Sequence, residues 1–179
     1  MTAADHHRPI VESPPALATR QATWHSEDDT AAFAGQLAAQ PLLANAFITL
    51  HGDLGAGKTT LVRHLLRALG VQGRIKSPTY AVVEPHEVPG LDIWHFDFYR
   101  FNDPREWEDA GFRELFASPG LKLVEWPERA GAFLPAVDLQ IDIQPDDMNP
   151  NTDPEHDSAR TVRATALTPT GLRLLEALA

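Results

Sequence analysis

The sequence contains no cysteine, only three lysines and no long apolar run. The absence of cysteine excludes disulfide bonds, thiolate metal sites and cysteine nucleophiles. No apolar run approaches the roughly 20 residues that a membrane-spanning helix needs. The first residues also lack the basic and apolar regions of a secretory signal. We therefore expect a cytoplasmic protein that does not associate with membranes.

Positive charge is scarce as well, because 15 Lys and Arg residues stand against 25 Asp and Glu residues, a formal net charge of −10. Nucleic acid is densely negative, so this balance argues against a broad RNA-binding surface. A nucleotide needs only one well-placed lysine and backbone amides, so the charge does not exclude nucleotide binding.

The length of 179 residues and the 43% hydrophobic composition favour one domain with a substantial core. Residues 1–22 show no hydrophobic period and are expected to form a flexible tail. Residues 23–179 are expected to form the single domain. Within it, residues 144–157 are rich in Pro, Asp and Asn and predict a flexible loop.

Hydrophobic periodicity divides the domain into alternating helices and strands. Residues 138–143 and 160–164 alternate between polar and apolar side chains, which is typical of half-exposed antiparallel strands. The other predicted strands are residues 46–50, 80–84, 91–98 and 121–124. The first predicted helix begins after a cap at Ser26. Three further predicted helices cover residues 58–69, 104–116 and 168–178.

The segment Gly52–Thr59 matches the phosphate-binding motif G-x-x-x-x-G-K-[ST] in full. A predicted strand precedes it and an amphipathic helix follows, a context that argues against a chance glycine-rich turn. Its backbone amides and the helix N-terminus suit phosphate, with Lys58 reaching the β- and γ-phosphates and Thr59 ligating magnesium. The predicted nucleotide-binding residues here are Asp53, Leu54, Gly55, Ala56, Gly57, Lys58, Thr59 and Thr60.

Two further predicted strands end in carboxylates, Asp97 and Glu125. In a parallel sheet these ends lie along one edge beside the phosphate loop, so both are candidates for the metal and the γ-phosphate. Either acid could instead cap a strand or pair with an arginine. Phe98 occupies the position after Asp97 where many P-loop ATPases carry a glutamate, so Glu125 is the best candidate for the water-activating base. It could equally reach magnesium through a water.

Thr79 lies in a proline turn between the phosphate loop and the Asp97 strand, where a turn can act as a switch that senses the γ-phosphate. An ordinary turn is the alternative. Trp126 is expected at the wall of the site or at a partner contact, and His95 is expected to be structural. The predicted catalytic residues are Glu125, Lys58, Asp97 and Thr79, and the predicted metal ligands are Thr59, Glu125 and Asp97.

Four motifs occur in order: residues 52–60, Lys-Ser-Pro-Thr-Tyr at 76–80, His-Phe-Asp-Phe-Tyr-Arg at 95–100 and Val-Glu-Trp-Pro-Glu-Arg at 124–129. Together they resemble the TsaE family, ATPases of tRNA threonylcarbamoyladenosine synthesis. The resemblance implies an α/β P-loop NTPase fold, with a mostly parallel central sheet flanked by helices and antiparallel C-terminal strands.

The resemblance also implies the cofactors ATP and Mg²⁺ and an ATPase that is weak alone and activated by partners. Those partners are the TsaD–TsaB complex, through which tRNA is reached indirectly. The family's adenine site lies between the N-terminal segment and the C-terminal strands, which points to Asp28 and Arg160. The chain departs from the family pattern by an apparent insertion at residues 145–157, shortly before Arg160.

Three other functions fit a phosphate loop. A small-molecule or nucleoside kinase usually carries an arginine-rich lid, whereas the arginines here are scattered. A GTP-driven switch needs an Asn-Lys-x-Asp segment, which the chain lacks. If the chain is instead a non-catalytic nucleotide-binding scaffold, Glu125→Gln should leave turnover in the assembled complex unchanged.

Overall fold

The computed structural model describes residues 15–146 and 159–178. No helix in those ranges is long and apolar enough to cross a membrane. The strands are β1 (Ala18–Trp24), β2 (Phe47–His51), β3 (Val83–Val88), β4 (Leu91–Asp97), β5 (Leu121–Glu125), β6 (Leu139–Pro145) and β7 (Arg160–Ala166). The helices are α1 (Glu27–Ala38), α2 (Lys58–Ala68), α3 (Glu106–Asp109), α4 (Phe112–Ala117) and α5 (Pro169–Glu176). Short 3₁₀ turns cover Pro41–Asn45, Pro127–Arg129 and Gly131–Phe133.

The strands form a seven-stranded sheet in the order β1-β7-β6-β2-β5-β4-β3. Its centre is parallel, since β2 pairs in parallel with both β5 and β6, and β4 pairs in parallel with β5. The β1–β7, β6–β7 and β3–β4 pairs are antiparallel. The predicted class, an α/β fold with a mostly parallel central sheet and antiparallel C-terminal strands, is confirmed, and β1 and β3 pair antiparallel at the two edges.

Two hydrophobic clusters cover the two faces of the sheet. On one face, α1, α2 and α5 pack through side chains such as Leu37, Leu65 and Leu174. On the other face, Trp107 and Phe112, from α3 and α4, pack on aromatic residues of β4 and its neighbours. Burying one leucine contributes about 2 kcal/mol, so these clusters hold the helices against the sheet.

The parallel register brings three strand ends together. Glu125 of β5 pairs with Leu50 near the end of β2 on one side and with Asp97 of β4 on the other. The loop that follows β2 therefore lies beside both carboxylates, as parallel strands ending at one sheet edge predict.

The N-terminal boundary of the domain differs from the sequence prediction. Residues 18–22 were expected in the flexible tail, but they belong to β1, which pairs along its length with β7. Alternating Ala, Thr and Gln residues on an exposed edge strand leave little hydrophobic signal. Residues 1–14 lie outside the described part, so the rest of the predicted tail is untested.

The helix predicted to follow the cap at Ser26 is α1. Ser26 accepts the backbone N–H of Asp29, and the Asp29 carboxylate accepts the backbone N–H of Ser26, which completes a capping box. The fold thereby fixes the turn between β1 and α1.

The strand predicted at residues 80–84 is displaced toward the C-terminus. Residues 80–82 form a turn, and β3 begins at Val83. Val82 has a φ of 68°, which is strained for a β-branched side chain. Its amide donates to the carbonyl of Pro78 and its carbonyl accepts the amide of Asp97, so tertiary hydrogen bonds hold this conformation.

The helix predicted over residues 104–116 is broken into α3 and α4. Gly111 lies between them with a φ of 73°, a left-handed conformation that ends one helix before the next begins. The apolar period continues across the break because Trp107 and Phe112 both face the same aromatic cluster.

The loop predicted over residues 144–157 begins later than expected. Gln144 and Pro145 belong to β6 and pair with Thr161 and Arg160 of β7. Residues 147–158 lie outside the described part of the chain, so the rest of that prediction is untested.

Candidate functional site

The loop between β2 and α2 is shaped by glycines. Gly52, Gly55 and Gly57 have φ values of 139°, 81° and 109°, a region that favours glycine. A side chain at Gly52 would overlap the backbone carbonyl oxygen of Ile143, so only glycine lets the loop pass β6 this closely. Gly57 precedes α2, whose first amides face the loop.

Lys58, the first residue of α2, is buried at the loop. Its Nζ donates to the carbonyl oxygens of Gly52 at 2.5 Å and Asp53 at 2.9 Å. The ammonium also lies 4.1 Å from the centroid of the Trp126 ring. Burial lowers the pKa of Lys58 below its ordinary value, and nearby carboxylates, led by Glu125, oppose that shift.

Glu125 is in direct contact with the threonine of the phosphate loop. The Thr59 hydroxyl donates to Oε1 and Oε2 of Glu125 over 3.0 Å and 2.9 Å. The two side chains meet because β5 lies directly beside β2 in the sheet. On its other side, Oε1 of Glu125 lies 2.8 Å from Nε2 of His95, which is fully buried.

Asp97 has a different set of partners. Its Oδ2 accepts the hydroxyls of Ser77 and of Thr79, the latter over 2.9 Å. Its Oδ1 accepts the backbone N–H of Tyr99 over 2.9 Å. Asp97 thus ties the proline turn to the sheet edge, while Glu125 contacts Thr59.

One cavity of about 350 Å³ brings most of the predicted site together. It contains both carboxylates and the proline turn, together with Trp126, which forms part of its wall as expected. Its lining residues are Leu54, Gly55, Gly57, Lys58, Thr59, Thr60, Ser77, Thr79, Asp97, Tyr99, Glu125 and Trp126.

A smaller cavity of about 140 Å³ adjoins the other side of the loop and shares Gly55, Gly57 and Thr60 with the first. It is lined by Arg160, whose Nε donates to the carbonyl of Ala56 over 3.1 Å, and by Trp24 from β1. Asp28 is exposed and lies outside both linings, whereas its neighbours Ser26 and Glu27 line this cavity. Of the two residues predicted for the adenine end, the structure therefore places only Arg160 beside the loop.

Neither Ser77 nor Trp24 was predicted as a site residue, and His95 was predicted to be structural. Ser77 belongs to the same motif as Thr79, with only Pro78 between them. In an extended turn, side chains two positions apart point the same way, so Ser77 could have been predicted beside Thr79. Trp24 could not be found because β1 was not predicted. Two arginines of the family-like motifs lie outside the lining of the main cavity: Arg100 stacks on Tyr80, and Arg129 donates to the carbonyl of Phe101.

The residues at the main cavity suit magnesium better than a softer metal. Oxygen atoms from Thr59, Glu125 and Asp97 are the hard ligands that Mg²⁺ prefers, and Mg²⁺ usually takes only one or two carboxylates along with substrate phosphates. Among the residues that the structure describes, no group of three His, Cys, Asp or Glu side chains forms a metal cluster by itself. The donor set therefore fits a metal that arrives with a nucleotide.

Comparison with known proteins identifies the family. Residues 24–153 match the family described as Threonylcarbamoyl adenosine biosynthesis protein TsaE. The chain belongs to the TsaE family. A TsaE relative from Haemophilus influenzae is 40% identical over 130 residues, which are 73% of this chain and 76% of that protein. One from Rickettsia typhi is 36% identical over 124 residues, 68% of this chain and 85% of that protein. Both relatives are named tRNA threonylcarbamoyladenosine biosynthesis proteins.

The fold agrees with this assignment. A crystal structure of YdiB from Bacillus subtilis superimposes with a TM-score of 0.69 and 28% sequence identity, covering 91% of this chain and 97% of YdiB. The predicted P-loop NTPase fold is therefore the fold of this TsaE-family chain, with β1, β3 and β7 as antiparallel additions to the parallel centre.

Proposed function

We propose that this chain is a magnesium-dependent ATPase of tRNA threonylcarbamoyladenosine synthesis that acts in the cytoplasm with a TsaD–TsaB complex. The observation that carries the proposal is the contact between Thr59 and Glu125 beside the buried Lys58, in a chain of the TsaE family. This arrangement supplies a hydroxyl, a carboxylate and an ammonium where the phosphate loop would present a triphosphate.

Binding would rest on the loop and on Lys58. The loop amides and the ammonium offset charge on the β- and γ-phosphates, and the helix N-terminus adds to them. Thr59 and Glu125, with Asp97 close by, would hold magnesium, which supplies further charge neutralisation for the phosphates when bound. Arg160 and the exposed Asp28 would lie toward the adenine end.

Hydrolysis would use the carboxylates at the sheet edge. Glu125 would orient the attacking water, because its carboxylate lies in the cavity beside Thr59. Thr79, which is hydrogen-bonded to Asp97, would change the conformation of the proline turn when a γ-phosphate is bound. Partner docking would then close the cavity and exclude solvent, so the isolated chain would hydrolyse ATP slowly.

The alternative reaction, phosphate transfer to a nucleoside or metabolite, is not favoured by membership of the TsaE family. Within the described residues, the main cavity is also lined by no arginine. A kinase generally needs cations over the transferred phosphate, so this lining supports hydrolysis instead.

The test is phosphate release from ATP by the purified chain, alone and with a TsaD–TsaB pair and tRNA. We expect the partners to raise turnover about tenfold or more, and Glu125→Gln to lower the stimulated rate about 100-fold without loss of ATP binding. Arg67→Ala, an exposed position on α2, is the control and should behave as wild type. Equal turnover with and without partners, or transfer of phosphate to a nucleoside, would contradict the proposal.

A further inference from the structure

The buried pair between His95 and Glu125 is the feature of the site that the mechanism above does not use. His95 lies on β4, two residues before Asp97, and Glu125 ends the neighbouring strand β5. The side chains of His95 and Glu125 are 0% and 3% exposed, and Nε2 of His95 lies 2.8 Å from Oε1 of Glu125. A carboxylate buried this deeply needs hydrogen bonds to offset its desolvation, and His95 provides one.

The surroundings of His95 determine which ring nitrogen carries the proton. Nδ1 of His95 has no hydrogen-bond partner among the described residues. A proton on Nδ1 would leave a buried donor unsatisfied and would turn the Nε2 lone pair toward a carboxylate oxygen. The favoured arrangement therefore has a proton on Nε2, which donates to Glu125.

His95 lies behind Glu125 as seen from the cavity. It is not among the cavity's lining residues, whereas Glu125 and Thr59 are. Oε1 of Glu125 is therefore held from behind by His95, and both oxygens are held from the front by the Thr59 hydroxyl. Two opposed contacts fix the rotation of a carboxylate that would otherwise turn about its terminal bond.

We propose that His95 is a positioning residue for ATP hydrolysis: its Nε2–H fixes the Glu125 carboxylate against Thr59 so that Glu125 presents the same oxygen to the reaction in every cycle. The proposal rests on the proposed function of this site. It replaces the purely structural role that the sequence suggested for His95. Hydrogen bonds of this kind behind a metal or catalytic carboxylate commonly affect activity about 10–100-fold.

A second pair in the chain provides a matched control. His64 on α2 also lies 2.8 Å from a glutamate oxygen, that of Glu27, but their side chains are 26% and 58% exposed. Exposed pairs of this kind contribute little because water competes for both groups. His64→Asn therefore removes the same type of contact, made by Nε2, without changing the main cavity.

The experiment compares His95→Gln and His95→Asn with wild type and His64→Asn, measuring partner-stimulated kcat and the Kd for ATP without magnesium. The amide nitrogen of Gln superimposes on Nε2 of histidine and keeps the donor to Glu125, whereas that of Asn superimposes on Nδ1. We expect kcat to fall about 10–100-fold in His95→Asn and to be largely retained in His95→Gln. We expect the Kd for ATP to be unchanged in all variants.

A double-variant cycle separates positioning from general damage to the fold. If His95 acts through Glu125, adding His95→Asn to Glu125→Gln should cause little further loss of kcat, since the two effects share one carboxylate. Equal kcat in His95→Asn and wild type, equal loss in both His95 variants, or multiplicative losses in the cycle would each overturn the proposal. A wild-type chain with no stimulated hydrolysis would instead refute the proposed function.

A measurement on the folded wild-type chain covers the case in which His95→Asn does not fold. Histidine-ring ¹H–¹⁵N spectra should show a proton on Nε2 of His95, with a resonance that shifts in Glu125→Gln and not in Glu27→Gln. Protonation at Nδ1 alone, or an unchanged Nε2 resonance in Glu125→Gln, would contradict the proposed hydrogen bond.

Discussion

At the scale of single residues, three charged side chains are almost completely buried at one sheet edge: Lys58, Asp97 and Glu125. Burial of a charge is costly unless it is paired or hydrogen-bonded, and each of these groups has such partners. The cost of removing them from water is consistent with a site built for a charged ligand rather than for stability.

The His86 imidazole provides a test of how burial of a single side chain affects the free energy of unfolding. Burial lowers the pKa of His86 below 6.5, the nearby His95 adds to the shift and Glu84 opposes it. The unfolded chain therefore takes up a proton at a higher pH than the folded chain does. Stability from the neutral ring is present above pH 6.5 and is lost as the pH falls below that value.

We predict that His86→Gln loses less stability than wild type when the pH is lowered from about 7.5 to about 5.5. Urea unfolding at the two pH values measures the difference in free energy of unfolding. His25→Gln, at an exposed ring, is the control for a histidine outside the sheet. The same pH dependence in wild type and His86→Gln would show that burial of this ring does not affect stability.

At the scale of secondary-structure elements, Asp138 connects β2 to α5. Its Oδ2 accepts the amide of Phe47 over 2.8 Å, and its Oδ1 accepts the hydroxyl of Thr168 over 2.5 Å. Thr168 in turn caps α5 by accepting the amide of Gly171. The last helix is thus fixed against the strand that leads into the phosphate loop.

Replacement by alanine should have opposite effects on stability at two helical glycines, Gly171 and Gly35. An added Cβ at Gly171 would overlap the backbone carbonyl of Asp138, whereas one at Gly35 in α1 would meet nothing within 4 Å. We expect Gly171→Ala to lower the free energy of unfolding by about 2 kcal/mol or more. We expect Gly35→Ala to raise it by about 0.5–1 kcal/mol. Chemical denaturation measures both, and a Gly171→Ala variant as stable as wild type would contradict the close packing of α5.

The elements also show why some parts of the fold were predictable. The strand–loop–helix arrangement around residues 52–59 was predicted correctly because its motif is local and depends on glycine backbone conformations. Strand β3 was misplaced because Val82 adopts a left-handed conformation that only its hydrogen bonds to Pro78 and Asp97 impose. Helices α3 and α4 were merged because the packing of Trp107 and Phe112 preserves the apolar period across Gly111.

The candidate site shows the same division between local and long-range information. The sequence predicted that four residues lie together, because parallel strands end at one sheet edge. These residues are Lys58, Thr59, Asp97 and Glu125. Which carboxylate contacts Thr59 depends on the strand order β2-β5-β4, which no local pattern contains. The hydrogen bond from His95 to Glu125 has the same origin, since it joins residues 30 positions apart in the chain.

At the scale of the whole molecule, two cavities meet at the phosphate loop. The larger is lined by both carboxylates and the proline turn, and the smaller by β1, α1 and Arg160. A nucleotide whose phosphates occupy the first cavity would have its base near the second cavity. The second cavity is formed by β1 and α1 from the N-terminal part of the domain and by Arg160 from the C-terminal part. The net charge of −10 agrees with the proposal that the chain reaches tRNA through a protein complex, since nucleic acid is densely negative.

The most direct test of this account is the threonylcarbamoyladenosine content of tRNA in a bacterial strain whose own TsaE-family gene is replaced by this one. Mass spectrometry of digested tRNA measures the modified nucleoside in cells that express wild type, Lys58→Ala or the control Arg67→Ala at equal levels. We predict normal modification with wild type and Arg67→Ala and its loss with Lys58→Ala. Full modification with Lys58→Ala would contradict the claim that triphosphate binding at this loop underlies the function.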